Sequence, residues 1–148
     1  MQVQISSSAP QLVLHHAETV WIADPDGQLD GMSGLGLLFR DTRLISTWSL
    51  LINGEKWELL NGAATTHFSA RVYLTNPMFT CLDGDVPARS ISLVLGRFLS
   101  GGVHEDLDLT NHAMAPVRFT LDLMIRSDFA DVFELKAAKA VRRGRITT

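Results

Sequence analysis

The chain is built from short segments of alternating or briefly continuous apolar residues, cut by turn residues roughly every dozen positions. Val117, Phe119, Leu121, Leu123 and Ile125 alternate with Arg118, Thr120, Asp122 and Met124, the pattern of a strand buried on one face. Val103, Leu107 and Leu109 fall on one parity, and Asp106 and Asp108 on the other. Further strands are expected at residues 11–14 and 19–23, paired around His15-His16, and at 47–52, 55–60, 67–74 and 90–99. Asp24-Pro25-Asp26-Gly27 reads as a turn, because proline presets φ and glycine accepts a positive one. Asn53-Gly54 predicts a type I′ hairpin turn, whose two central residues both need positive φ. Thr75-Asn76-Pro77, Asp83-Gly84-Asp85 and Ser100-Gly101-Gly102 supply the remaining breaks. No helical stripe longer than about ten residues precedes residue 128. Residues 136–141 have helix-forming composition but are short. The pattern predicts an all-β fold, an antiparallel β-sandwich, over residues 11–148, with residues 1–10 as a flexible leader.

Composition narrows the class. The chain has 148 residues, 46% of them hydrophobic and 20% charged, the profile of one globular domain with a real core. No apolar run approaches the roughly 20 residues of a membrane helix, and no basic and apolar leader marks secretion. Cys81 is the single cysteine, which rules out an internal disulfide and agrees with a cytoplasmic location. The net charge of −3 is uneven. Residues 1–134 hold all 16 acidic and eight basic residues, a net −8, whereas Lys136, Lys139, Arg142, Arg143 and Arg145 crowd the end. A basic tail can bind nucleic acid, but the acidic body and the lack of interleaved aromatics argue against such a partner.

Candidate chemistry is sparse. Arg40-Asp41-Thr42-Arg43 suits hydrogen bonding to sugar hydroxyls, or equally a loop fixed by its own Arg–Asp pair and by side-chain bonds to nearby backbone. Asp128, Asp131 and Glu134 are spaced as carboxylates that one turn of helix would bring together. Glycoside hydrolysis uses carboxylate pairs about 5–9.5 Å apart. The alternative is a set of structural ion pairs at a corner anchored by buried Phe129 and Phe133 rings. Trp48 and Trp57, on the two arms of the Asn-Gly hairpin, are candidates for sugar stacking or for core packing. The five histidines lack metal spacing, and Gly31, Gly34 and Gly36 lack the rest of a phosphate loop, so no metal or cofactor is expected.

The order of these elements resembles the N-terminal domain of bacterial glycogen-debranching-type (amylo-α-1,6-glucosidase-like) enzymes. The likeness covers roughly residues 12–145 and is carried by Asp24 to Gly27, Gly36 to Ser46, the hairpin, Leu74-Thr75-Asn76-Pro77, an Asn111 turn, Asp128 to Glu134 and Arg142-Arg143-Gly144. Two departures stand out: Ala137 replaces the glycine of the family's Glu-Val-Arg-Gly, and residues 75–89 are short against the pattern. The resemblance implies a supersandwich-like domain preceding a catalytic helical barrel, with Arg40, Asp41, Thr42, Arg43, Asp128, Asp131 and Glu134 as a domain signature and no catalytic residue in this chain. It implies a role in supporting the barrel and shaping access to an α-glucan. A stand-alone carbohydrate-binding module, or a small glycosidase using Asp128, Asp131 or Glu134, are the rival readings. Relatives continue past the position of Thr148, so the expectation is a sandwich truncated at its C-terminal end. Its open edge would drive homo-oligomerisation through residues 117–148.

Overall fold

A computed structural model describes residues 11–31 and 34–131. The expected leader, Glu134, the 136–141 stretch and the basic tail lie outside the described residues.

Strands β1 (Leu12–His16) and β2 (Thr19–Ala23) pair antiparallel, with Leu14 opposite Trp21. His15 and His16 belong to the strand and not to its turn, which falls at Ala17, where φ is +51°. The Asp24 to Gly27 turn closes with Gly27 N donating to Asp24 O at 2.8 Å and leads into β3 (Leu29–Asp30). Next come β4 (Gly36–Phe39), β5 (Thr42–Ile45) and β6 (Thr47–Ile52). Asn53 and Gly54 have φ of +48° and +78°, as the type I′ reading requires, and return the chain as β7 (Glu55–Lys56).

The second hairpin arm, expected as one strand over 55–60, is broken at Trp57. There β7 leaves β6, and β8 (Glu58–Ala64) pairs instead with β9 (Ser69–Thr75). The indole of Trp57, only 7% exposed, anchors this switch between sheets. A short hairpin, β10 (Phe79–Cys81) and β11 (Gly84–Val86), precedes the two longest strands, β12 (Ile91–Leu99) and β13 (Val103–Asn111), and then β14 (Leu121–Arg126).

The strands order as β1-β2-β4-β5, as β13-β12-β9-β8, and as β14-β6-β3 with β7 beside β6. Every named pairing is antiparallel, and no helix occurs among the described residues. The inner faces meet in one core that joins Leu14 and Trp21, Leu50 and Ile52, Val72 and Leu74, and Leu93 and Leu95.

Two strands depart from their expected burial. Val117 to Thr120 form no strand; Asn53 holds Thr120 through a reciprocal pair of bonds, with Asn53 N donating to Thr120 O and Thr120 N to Asn53 Oδ1. Val117, Phe119 and Leu121 pack on the core, but Leu123 and Ile125 are about half exposed. Leu107 and Leu109 on β13 are similarly open. Both strands are sheet edges. Alternation tells which residues share a face, and these faces have no covering layer among the described residues.

Candidate functional site

The two polar signatures meet. Arg43 sits on β5 with its side chain buried, although it is a cation (3% exposed). Its Nε donates to Asp128 Oδ1 at 3.0 Å, Nη2 donates to Asp128 Oδ2, and Nη1 donates to Leu35 O at 2.9 Å. The backbone joins too: Arg43 N donates to Ala130 O at 2.8 Å, and Thr42 bridges antiparallel to Asp131. Ser127 Oγ donates to Leu44 O, and Ser46 N donates to Arg126 O at 2.8 Å. The segment after β14 is thus stitched along β5. Ala130, fully buried, is its apolar anchor, whereas Phe129 is 46% exposed with φ of +52°, contrary to the expected buried ring.

The small residues before β5 serve this clasp. At Gly36 φ is +148°, and a Cβ there would lie 2.5 Å from Arg43 Cδ and 2.8 Å from Ile45 O. Only glycine leaves room for the arginine stem at this backbone angle. Gly36, Arg43 and Asp128 are therefore one structural device read from three places in the sequence.

Burial pushes the Asp128 carboxyl toward neutrality, but the Arg43 hydrogen bonds, the Ala130 N–H and the Arg43 charge together outweigh it. The net result is a pKa below the usual carboxylate range. The partner that the structure gives Arg43 is Asp128, from the far end of the described chain and not from within its own loop segment. Arg40 instead turns outward at φ of +53° and meets Glu18 at 3.0 Å, both exposed. Such a surface pair contributes little. Residues 127–130 are not helical, so the spacing of the carboxylates does not gather them on a helix face. Glu134 lies outside the described residues.

The tryptophans separate. Trp48 is half-buried and packs edge-on against Trp21, with centroids 5.7 Å apart, whereas Trp57 lines a cavity on the other arm of the chain's path. Between Trp21 and Trp48 lies a feature the sequence reading missed. Arg97 occupies a core-facing position on β12, in phase with Ile91, Leu93, Leu95 and Leu99. Its guanidinium lies 4.3 Å from the Trp21 ring centroid and 5.7 Å from that of Trp48. It pairs with half-buried Glu105 through Nε at 2.8 Å and Nη2, and donates to Gly27 O. Glu105 also accepts from Trp48 Nε1 at 3.4 Å. Burial pulls the Arg97 pKa down, and Glu105 opposes that shift. A charge in the apolar parity of a strand was the available signal.

Asn76 is a third buried polar node. Its Oδ1 accepts from Ser90 N and Ile91 N, and its Nδ2 donates to Pro77 O and Pro87 O, so the amide is fully satisfied. No group of three or more His, Cys, Asp or Glu positioned for a metal ion exists among the described residues.

Fold and site together define an antiparallel all-β domain in which two buried arginines, Arg43 and Arg97, pair with Asp128 and Glu105. The chain belongs to the family described as the N-terminal domain of (some) glycogen debranching enzymes, whose model matches residues 14–148. No curated protein and no solved structure matches the chain.

Proposed function

We propose that this chain is the non-catalytic N-terminal β-sandwich of a glycogen-debranching-type glycoside hydrolase, amylo-α-1,6-glucosidase-like and cytoplasmic. Its role is to buttress a catalytic helical barrel and to shape access to an α-glucan. The observation that carries this reading is the engagement of Asp128 by Arg43. A general acid must hold a proton near neutral pH. The Asp128 pKa moves the other way, so it acts as the fixed anion of a clasp. Family membership supports the nature of the parent enzyme. The half-exposed Leu123 and Ile125 offer an apolar strip to the barrel, and the same strip is where the isolated chain would self-associate.

A reducing-sugar assay on glycogen, limit dextrin and an aryl α-glucoside tests the non-catalytic part, and no turnover is expected. Retention of a glycogen-debranching helical barrel on the immobilised chain tests the supporting role. A barrel that passes unretained, with Leu123 and Ile125 intact, contradicts it.

A further inference from the structure

The chain has four asparagines, and three of them are held by partners that oppose chemistry at the side-chain amide. Asn76 makes four bonds and precedes Pro77, which has no N–H to react. Asn111 accepts from Ala113 N at 2.9 Å and donates to Ala115 O at 3.0 Å. The amide that follows it, His112 N, is engaged with Ser90 O at 2.8 Å. Asn53 precedes a glycine, but its Oδ1 accepts from Thr120 N at 2.8 Å. Asn61 differs. It is exposed on β8, the edge strand of its sheet, at an irregularity in register between Leu59 and Asn61. Its Oδ1 accepts from the N–H of the next residue, Gly62, at 2.9 Å. One C=O bond further on, Asn61 Cγ lies within about 4 Å of that nitrogen. Reacting atoms poised for attack stand roughly 3–3.5 Å apart. Glycine adds no side chain to shield the nitrogen.

We propose that Asn61 is a site of spontaneous covalent modification, in which its side chain closes on the Gly62 amide and water then converts it to aspartate and isoaspartate. Hydroxide removes the Gly62 amide proton, and the electron pair left on nitrogen forms a bond to Asn61 Cγ. The Cγ–Nδ2 bond breaks, and Nδ2 leaves as ammonia with a proton from water. Water then adds to one of the two carbonyls of the five-membered imide. Breaking the ring bond from nitrogen to Cγ gives aspartate. Breaking the bond from nitrogen to the main-chain carbonyl carbon gives isoaspartate, whose backbone runs through Cβ and Cγ. One water is consumed and one ammonia released, with no change of oxidation state. The consequence falls on β8. Gly62 pairs with Val72, and a Cβ there would lie 2.9 Å from Pro25 O and 3.3 Å from a Val72 methyl, so this stretch of strand is closely packed. A backbone lengthened by one carbon cannot keep both the Asn61 to Tyr73 and the Gly62 to Val72 register. The modified chain gains a negative charge and loosens its edge strand.

Peptide mapping by mass spectrometry, on the folded chain held at mildly alkaline pH, follows the gain in mass as each amide becomes an acid. Asn61 should react at least about tenfold faster than Asn53, and Asn76 and Asn111 should stay intact. In guanidinium chloride, where the fold no longer separates the two Asn-Gly pairs, their rates should converge. Asn61→Gln, which would have to close a six-membered ring, should remove the reaction at this position and leave the far-ultraviolet circular dichroism unchanged. The modified fraction, separated by its added charge, should unfold at a lower urea concentration than the fresh chain. Equal rates at Asn61 and Asn53 in the folded chain, a faster Asn53, or an Asn61 that stays intact while the unfolded chain is converted overturns the proposal. A modified fraction that unfolds together with the fresh chain overturns the loosening of β8.

Discussion

Arg43 and Asp128, 85 positions apart in the sequence, form a two-pronged ion pair that fastens the segment after the last strand to β5. The pair fixes the end of the described chain to β5, beside the Thr42 to Asp131 bridge and the Arg43 N to Ala130 O bond. Removing one member leaves the other charged and poorly hydrated. Asp128→Ala should therefore destabilise the domain by about 3 kcal/mol, as for other broken buried pairs. Urea unfolding of the variant reads this as a lower midpoint at an unchanged slope. A change below about 0.5 kcal/mol, the usual range of a surface substitution, would show the pair to be ornamental.

The pH dependence has a definite sign. The folded-state pKa of Asp128 lies below its unfolded value, so in the acid range the unfolded chain binds more protons. The pair's contribution is complete above the unfolded carboxylate pKa and is lost as pH falls through the depressed folded one. Asp128→Asn should flatten that acid limb. Asp24 has the opposite sign, because its raised pKa makes ionisation costly to the fold. Asp24→Asn should raise stability at neutral pH and leave it unchanged once both states are protonated. Thermal midpoints across pH 3–7 check both.

Gly36→Ala should cost more than Gly54→Ala, although both glycines have positive φ. At Gly54 a Cβ meets nothing within 4 Å, so only backbone strain of about 1 kcal/mol applies. At Gly36 the new Cβ must also displace the Arg43 stem and meets a backbone oxygen, for a total of about 3 kcal/mol or more. Equal losses in the two variants would contradict the packing of Arg43 against Gly36.

The Arg97 and Glu105 pair invites a double substitution. Arg97→Met alone strands a buried carboxylate and should destabilise by about 3 kcal/mol, whereas adding Glu105→Leu should recover most of that loss. Trp48 gives the readout, since Glu105 accepts from its indole and Arg97 lies near its ring. Its fluorescence should change in both variants. Losses that simply add would show that the two residues act separately.

Much of the fold was legible in the chain. The Asn53-Gly54 turn, the Asp24 to Gly27 turn and most strand positions follow from φ requirements and period-two alternation, which are local. Non-local facts were not. Nothing local says that Arg43 pairs with Asp128, because the pair joins residues 85 positions apart through the sheet. The burial of 121–126 was misjudged because alternation specifies two faces but not what covers either. Trp57 hid a change of sheet, since a strand passing from one layer to another keeps its alternation. Arg97 was overlooked although it interrupts an otherwise apolar parity, the one signal its ion pair leaves in the sequence.

The most direct test of the central claim sets stability and catalysis side by side in the isolated chain and its Asp128→Asn variant. Glucose and reducing-sugar release from limit dextrin should be at background for both, while the variant unfolds at a lower urea concentration. Hydrolysis by the wild-type chain that vanishes in Asp128→Asn, with the unfolding midpoint unchanged, would make Asp128 a catalytic residue and contradict the account.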